Sequence, residues 1–128
     1  MPEFNKKVLI VEDDPDIGNL LAKKFNLEGF EILTAIDGER ALEIAEADLP
    51  DFIILDILLP KIEGLTVLQC LHDNIKTSKI PVIVLSNLDS QDSFDQVKAI
   101  GDYEYKIKSK TNLDDLVKDV KGKLGIAV

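Results

Sequence analysis

The sequence predicts an α/β fold built on a doubly wound, five-stranded parallel sheet. Three observations carry that expectation. Apolar runs recur at residues 8–11, 32–36, 52–55, 82–85 and 103–107. The first, third and fourth of these are almost continuously apolar, as strands are when helices cover both faces of a sheet. Stretches with helical spacing separate the runs, so the order is strand then helix, five times over, with right-handed crossovers expected.

The elements follow in order. The first run stops abruptly at Glu12, Asp13 and Asp14. Asp14 before Pro15 predicts a helix N-cap with proline at the first helical position. Ile17, Leu20, Leu21, Lys24 and Phe25 mark one face of that helix, and Gly29 ends it. After the second strand, Asp37-Gly38 opens a helix running through Ala41, Leu42 and Ala45. The third run ends at Asp56, which opens the pattern Asp56-x-x-x-Pro60-x-x-x-Gly64, and Leu65, Leu68 and Leu71 line the helix beyond. Ser86 follows the fourth run, and residues 88–100 suit a helix stopped by Gly101. Lys108 follows the fifth. Thr111-x-x-Asp114 predicts a capping box for a last helix, with Leu113, Leu116, Val117, Val120 and Leu124 inward.

Composition narrows the function. At 128 residues and 45% hydrophobic, the chain is expected to form a single domain, 1–128, with a core that needs no staples. A formal net charge of −9 argues against direct nucleic-acid binding, which relies on Lys and Arg to neutralise phosphates. Residues 1–5 hold no signal-peptide core and no apolar run approaches membrane-spanning length, so a cytoplasmic location is expected. The one cysteine, Cys70, excludes an intramolecular disulfide and reads as a small buried or half-buried apolar residue. The one histidine, His72, reads as solvent-exposed.

In open α/β sheets, ligands bind beyond the carboxyl ends of the strands, where strand order reverses. With order 2-1-3-4-5, strands one and three are neighbours there, and Glu12, Asp13 and Asp56 face one another. Ser86 adds a hydroxyl from strand four and Lys108 a cation from strand five. This set suits phosphoryl transfer. Mg2+ takes oxygen ligands, here the carboxylates of Glu12, Asp13 and Asp56 with the Leu58 carbonyl as a further candidate. Asp56 is the candidate nucleophile, since carboxylates form aspartyl-phosphates. Lys108, Ser86 and the metal would stabilise charge on the phosphoryl oxygens.

These residues, in this order at these strand ends, resemble a response-regulator receiver domain of two-component signalling, similar to the chemotaxis receivers, with a flavodoxin-like fold. The resemblance rests on Glu12-Asp13, the Asp56-to-Gly64 pattern, Ser86 after Pro81-Val82-Ile83-Val84-Leu85, and Lys108 three residues after Tyr105. It implies a stand-alone signalling phosphoacceptor rather than an enzyme acting on external substrates. A histidine kinase or phosphotransfer protein phosphorylates Asp56. Ser86 and Tyr105 then act as switch residues. Helix four, strand five and helix five form the face presented to an output protein. The oligomeric expectation is a monomer or a weak phosphorylation-dependent dimer.

The chain departs from that family at three places. Ser109 stands where most members have a proline after a cis bond, so the loop is either strained or trans. Asn87 replaces a small residue and can narrow access to the phosphoryl group. Leu58 and Leu88 cannot orient an attacking water, which predicts slow self-dephosphorylation. Lys106, Lys108 and Lys110 read as an alternating basic strip on an edge strand. The rival to phosphorylation is a receiver-fold docking module that never takes a phosphoryl group. A haloacid-dehalogenase-type phosphatase would need an acid at Leu58, and a flavin carrier would not place Glu12-Asp13-Asp14 against a phosphate.

Overall fold

The structure is a computed structural model that describes residues 5–59, 61–87 and 90–126. Its elements are β1 (Lys7–Val11), α1 (Pro15–Leu27), β2 (Glu31–Ala35), α2 (Gly38–Asp48), β3 (Phe52–Leu55), α3 (Gly64–Asp73), β4 (Val82–Ser86), α4 (Gln91–Ile100), β5 (Glu104–Ile107), a 3-10 turn at Lys108–Lys110, and α5 (Leu113–Lys123). All strands are parallel, in the order β2-β1-β3-β4-β5 expected from sequence.

β1, β3 and β4 are almost wholly apolar because each feeds two cores. Successive side chains of a strand point to opposite faces. On one side, Leu9, Val11, Ile53, Leu55 and Val84 pack with Ala41 and Ala45 of α2, Leu68 of α3 and Val97 of α4. On the other, Val8, Ile10, Ile54 and Ile83 pack with Leu21 and Phe25 of α1 and with Leu116 and Val120 of α5. Each such buried Val, Leu, Ile or Phe side chain contributes about 1.5–3 kcal/mol of transfer free energy, which fixes β1, β3 and β4 as a rigid base for whatever their ends carry.

The helix signals locate most ends. Asp14 caps α1, accepting from the N–H of Asp16 at 2.9 Å, with Pro15 first in the helix. Gly29 follows with φ 104°, the left-handed geometry that closes a helix through the Phe30 N–H to Phe25 carbonyl bond.

Several expectations need correction. The cap of α5 is Asn112, whose side chain accepts from Asp114 N–H at 2.7 Å. Thr111 instead donates its hydroxyl to the Ile107 carbonyl at 2.7 Å, because the 3-10 turn before it brings that carbonyl within reach. Within α4, Ser90 is the cap and Gln91 the first helical residue; Leu88 lies outside the described residues. β2 stops at Ala35, leaving Ile36 63% exposed. On α1, Leu20 is 56% exposed and Lys24 reaches Asp114 and Glu28, so both lie off the buried face. Cys70 is exposed rather than buried or half-buried, since it falls on the outer side of α3. Among the described residues, no helix is long and apolar enough to cross a membrane.

Candidate functional site

Strand register builds the site. Val11 pairs with Leu55 across β1 and β3, so the residues after them, Glu12 and Asp56, emerge side by side. The ladder continues through them: Asp56 N–H donates to the Val11 carbonyl at 3.1 Å, and Glu12 N–H to Ala35 at 3.0 Å. Both side chains are buried, 4% exposed for Glu12 and 5% for Asp56, while Asp13 is exposed. Oxygens of all three lie within 4.8 Å of one another. At that separation two carboxylates repel by roughly 3–4 kcal/mol at an effective dielectric of about 20.

Lys108 offsets part of this. Its Nζ donates to Asp56 Oδ2 at 2.6 Å and also to Glu12 Oε1. The other Asp56 oxygen, Oδ1, accepts the Leu58 N–H at 2.9 Å, and Glu12 Oε2 accepts from Asp14 N–H. Burial raises the Glu12 carboxyl above its ordinary range; the Lys108 hydrogen bond and charge pull it back, and the Asp56 charge adds to the rise. For Lys108, burial works to lower the ammonium's pKa, but the hydrogen bonds to Asp56 and Glu12 outweigh it and the net direction is up. With every group ionised, three carboxylates and one ammonium leave a formal charge of −2. The remaining charge and the all-oxygen donor set suit a hard divalent cation.

Gly64 explains its place in the pattern opened by Asp56. A Cβ there would lie 2.1 Å from Ile57 Cα and 2.6 Å from the Asp56 carbonyl oxygen. The first turn of α3 therefore presses directly on the backbone that presents Asp56, and Gly64 N–H donates to the Ile57 carbonyl at 3.0 Å.

The structure thus brings Glu12, Asp13, Asp56 and Lys108 together. Ser86 is fully buried at the end of β4, at the same end of the sheet as Asp56, since Leu55 pairs with Val84. Tyr105 is half-buried in β5, its ring 6.4 Å from that of Phe94, and it lines a groove of about 390 Å³ with Ser90, Lys106 and Thr111. The Leu58 side chain is 52% exposed beside the acids. Pro60 and Leu88 lie outside the described residues.

The basic strip does not form. The chain turns into the 3-10 segment at Lys108, which swings that lysine onto the acids, while Lys106 pairs with Glu104 at 2.9 Å and Asp119 at 2.6 Å. No peptide bond among the described residues is cis, so the bond between Lys108 and Ser109 is trans. Sequence reasoning also missed two contacts. Ser109 N–H donates to Asn87 Oδ1 at 3.2 Å, and exposed His72 bonds through Nδ1 to the Tyr103 hydroxyl at 3.0 Å. Both span positions far apart in the chain and left no local signal.

A parallel α/β sheet with buried carboxylates and a lysine at its switch point defines a class of carboxylate-centred sites, and the comparisons place this chain within it. The family model for the response regulator receiver domain matches residues 8–121, and the chain belongs to that family. It is 38% identical over 94 residues to the alkaline phosphatase synthesis transcriptional regulatory protein PhoP of Bacillus subtilis, covering 73% of this chain and 38% of that protein. It is 40% identical over 88 residues to the response regulator PleD of Caulobacter vibrioides, covering 69% of this chain and 19% of that protein. The chain thus spans well under half the length of these curated relatives. Among solved structures, a CheY-like receiver domain protein from Methanospirillum hungatei superposes with TM-score 0.87 at 26% identity, covering 94% of each chain. The Francisella response regulator 1452 receiver domain gives 0.81 at 31%, covering 91% of this chain and 94% of that one.

Proposed function

We propose that this chain is a phosphoacceptor switch in two-component signalling, with Asp56 as the residue phosphorylated. The observation that carries the reading is the Lys108 ammonium, held in contact with both Asp56 and Glu12 in a buried acidic cluster at the sheet's switch point.

The phosphoryl donor is a phosphohistidine on a histidine kinase or phosphotransfer protein. An Asp56 carboxylate oxygen forms a bond to phosphorus as the donor's N–P bond breaks. The departing imidazole keeps the electron pair and takes up a proton. Asp56 Oδ1 is oriented by the Leu58 N–H, leaving Oδ2, now on Lys108, as the attacking atom once the lysine shifts to a phosphoryl oxygen. Ser86, at the end of β4, supplies a hydroxyl to the same group. Glu12, Asp13 and Asp56, with the Leu58 carbonyl, would hold Mg2+, which supplies positive charge to the phosphoryl oxygens when bound. The output follows from charge. Drawing Lys108 and Ser86 toward a new dianion reorganises the loops after β4 and β5, and with them Tyr105 and the α4–β5–α5 surface. An output protein reads that surface.

The test is acetyl phosphate with Mg2+, read by intact-protein mass. Uptake of one phosphoryl group, absent in Asp56→Asn, supports the proposal. Failure to take up a phosphoryl group from acetyl phosphate or from any phosphohistidine donor supports the docking module instead.

A further inference from the structure

The two departures from the family at Asn87 and Ser109 meet in one hydrogen bond, made by the backbone of the residue next to Lys108. β4 and β5 are paired as far as Ser86 opposite Ile107. Beyond this last rung the strands give way to loops, one starting at Asn87 and the other at Lys108. Ser109 N–H donates to Asn87 Oδ1 at 3.2 Å, joining the loops one residue past the ladder on the β4 side and two past it on the β5 side. Ser109 is the middle residue of the 3-10 turn Lys108–Lys110, whose far end is closed by Thr111 N–H on the Lys108 carbonyl at 3.2 Å and by the Thr111 hydroxyl on Ile107. The early N–H groups of a short helix have no partner within it. Asn87 supplies one from another strand's loop. A proline at position 109 has no N–H to give, so the acceptor at 87 is useful only with a non-proline partner.

We propose that Asn87 is a positioning residue for Lys108, acting through the Ser109 amide. Resting on the phosphoacceptor reading above, it assigns Asn87 the role of holding the turn so that the Lys108 ammonium meets Asp56 and Glu12. Lysine carries a point charge on a flexible stem, so the position of its Cα sets how few rotamers let Nζ reach two oxygens at once. Two roles for Asn87 then make opposite predictions. A side chain that only obstructs the site would, when removed, speed entry of the phosphoryl donor. A side chain that positions Lys108 would, when removed, slow transfer, because the charge meant for the phosphoryl oxygens is misplaced.

Asn87→Ala, Ser109→Pro and the double variant, beside wild type, test this with two readouts. The first needs no phosphorylation. The Ser109 amide exchange rate and the 15N signal of the Lys108 ammonium are followed by NMR, with Asp56→Asn as the reference for a lysine that has lost one of its two carboxylate partners. Asn87→Ala is expected to speed Ser109 exchange about tenfold and to move the Lys108 signal toward that reference. The second is the initial rate of phosphoryl uptake from acetyl phosphate at saturating Mg2+. Asn87→Ala is expected to slow it about tenfold, less than the roughly hundredfold that a full 1 Å misplacement can cost. The double variant, which removes donor and acceptor together and stiffens the turn with proline, is expected to recover most of that loss, which a general loss of stability would not do. An unmoved Lys108 signal in Asn87→Ala overturns the inference, as does faster uptake. If wild type takes up no phosphoryl group, the phosphoacceptor reading fails, and the NMR arm alone decides whether Asn87 positions the lysine.

Discussion

β3 and β5 lie two places apart in the same sheet and are held in opposite ways. In β3 the four side chains are buried almost completely, and the strand has a neighbour on each side. In β5 all four residues are half-buried and, among the described residues, only β4 pairs with them. Beyond its ladder to β4, the outer side of β5 is tied by charge: Lys106 bridges Glu104 and Asp119, and Lys123 reaches Glu104 at 3.1 Å. Burial of apolar area is large and non-directional, while exposed ion pairs are worth little and are screened by salt. The centre of the sheet therefore presents its carboxylate from a firmly packed strand, and the edge carries side chains that are held less firmly, which are the groups that the proposed switch would redirect. A switch needs both.

Breaking the centre should have the largest effect. Phe52→Ala is expected to lose about 3–5 kcal/mol, visible as a lower urea midpoint, because the ring is wholly buried and packed surroundings close such a cavity only in part. A loss under about 1 kcal/mol would mean that β3 is not the fixed member of the pair. The ends of β1 and β3 come next. Mg2+ at a hundred times its dissociation constant should stabilise the fold by about 2.7 kcal/mol, read as a raised thermal midpoint. Asp13→Asn should shrink that gain severalfold while raising the metal-free midpoint, since it removes one of three mutually repelling carboxylates.

The edge should respond weakly. Lys106→Met is expected to change stability by no more than about 1 kcal/mol, with the difference fading in high salt. A change of several kcal/mol would erase the contrast between the strands. The smallest effect is one of pH. Burial works to raise the Glu104 carboxyl, but hydrogen bonds from Lys106 and Lys123 outweigh it and the net direction is down. A carboxyl lowered in the fold contributes stability that is complete above its unfolded pKa, about 4.3, and is lost as pH falls through the folded value. Urea midpoints of wild type and Glu104→Gln should therefore converge below about pH 4 and stay parallel above about pH 5. Convergence on the alkaline side would reverse the assigned direction.

The same contrast governed what could be read from the sequence. Phe52-Ile53-Ile54-Leu55 announces itself because burial on two faces demands apolar residues at every position. The acids followed, since a parallel register places Glu12 beside Asp56 once the strand order is known. At β5 the signals were ambiguous. Thr111 and Asn112 are both good caps, and the choice of Asn112 depends on a 3-10 turn with no clear sequence mark. Alternation suggested that Lys106 and Lys108 share a face, yet the strand ends between them. The Asn87 to Ser109 bond joins residues 22 positions apart, and each alone looks like an ordinary loop residue.

The close approach at Gly64 divides the loop after β3 into an inner rail and an outer rail. On the inner rail a single methyl would strike the backbone of Asp56 and Ile57. On the outer rail, the Leu58 side chain projects into solvent and can be exchanged without disturbing the fold. Anyone recoding this loop, or grafting it into another scaffold, therefore has a steric ruler: the acid and the glycine travel as one cassette of fixed length, and variety belongs to the positions that face outward.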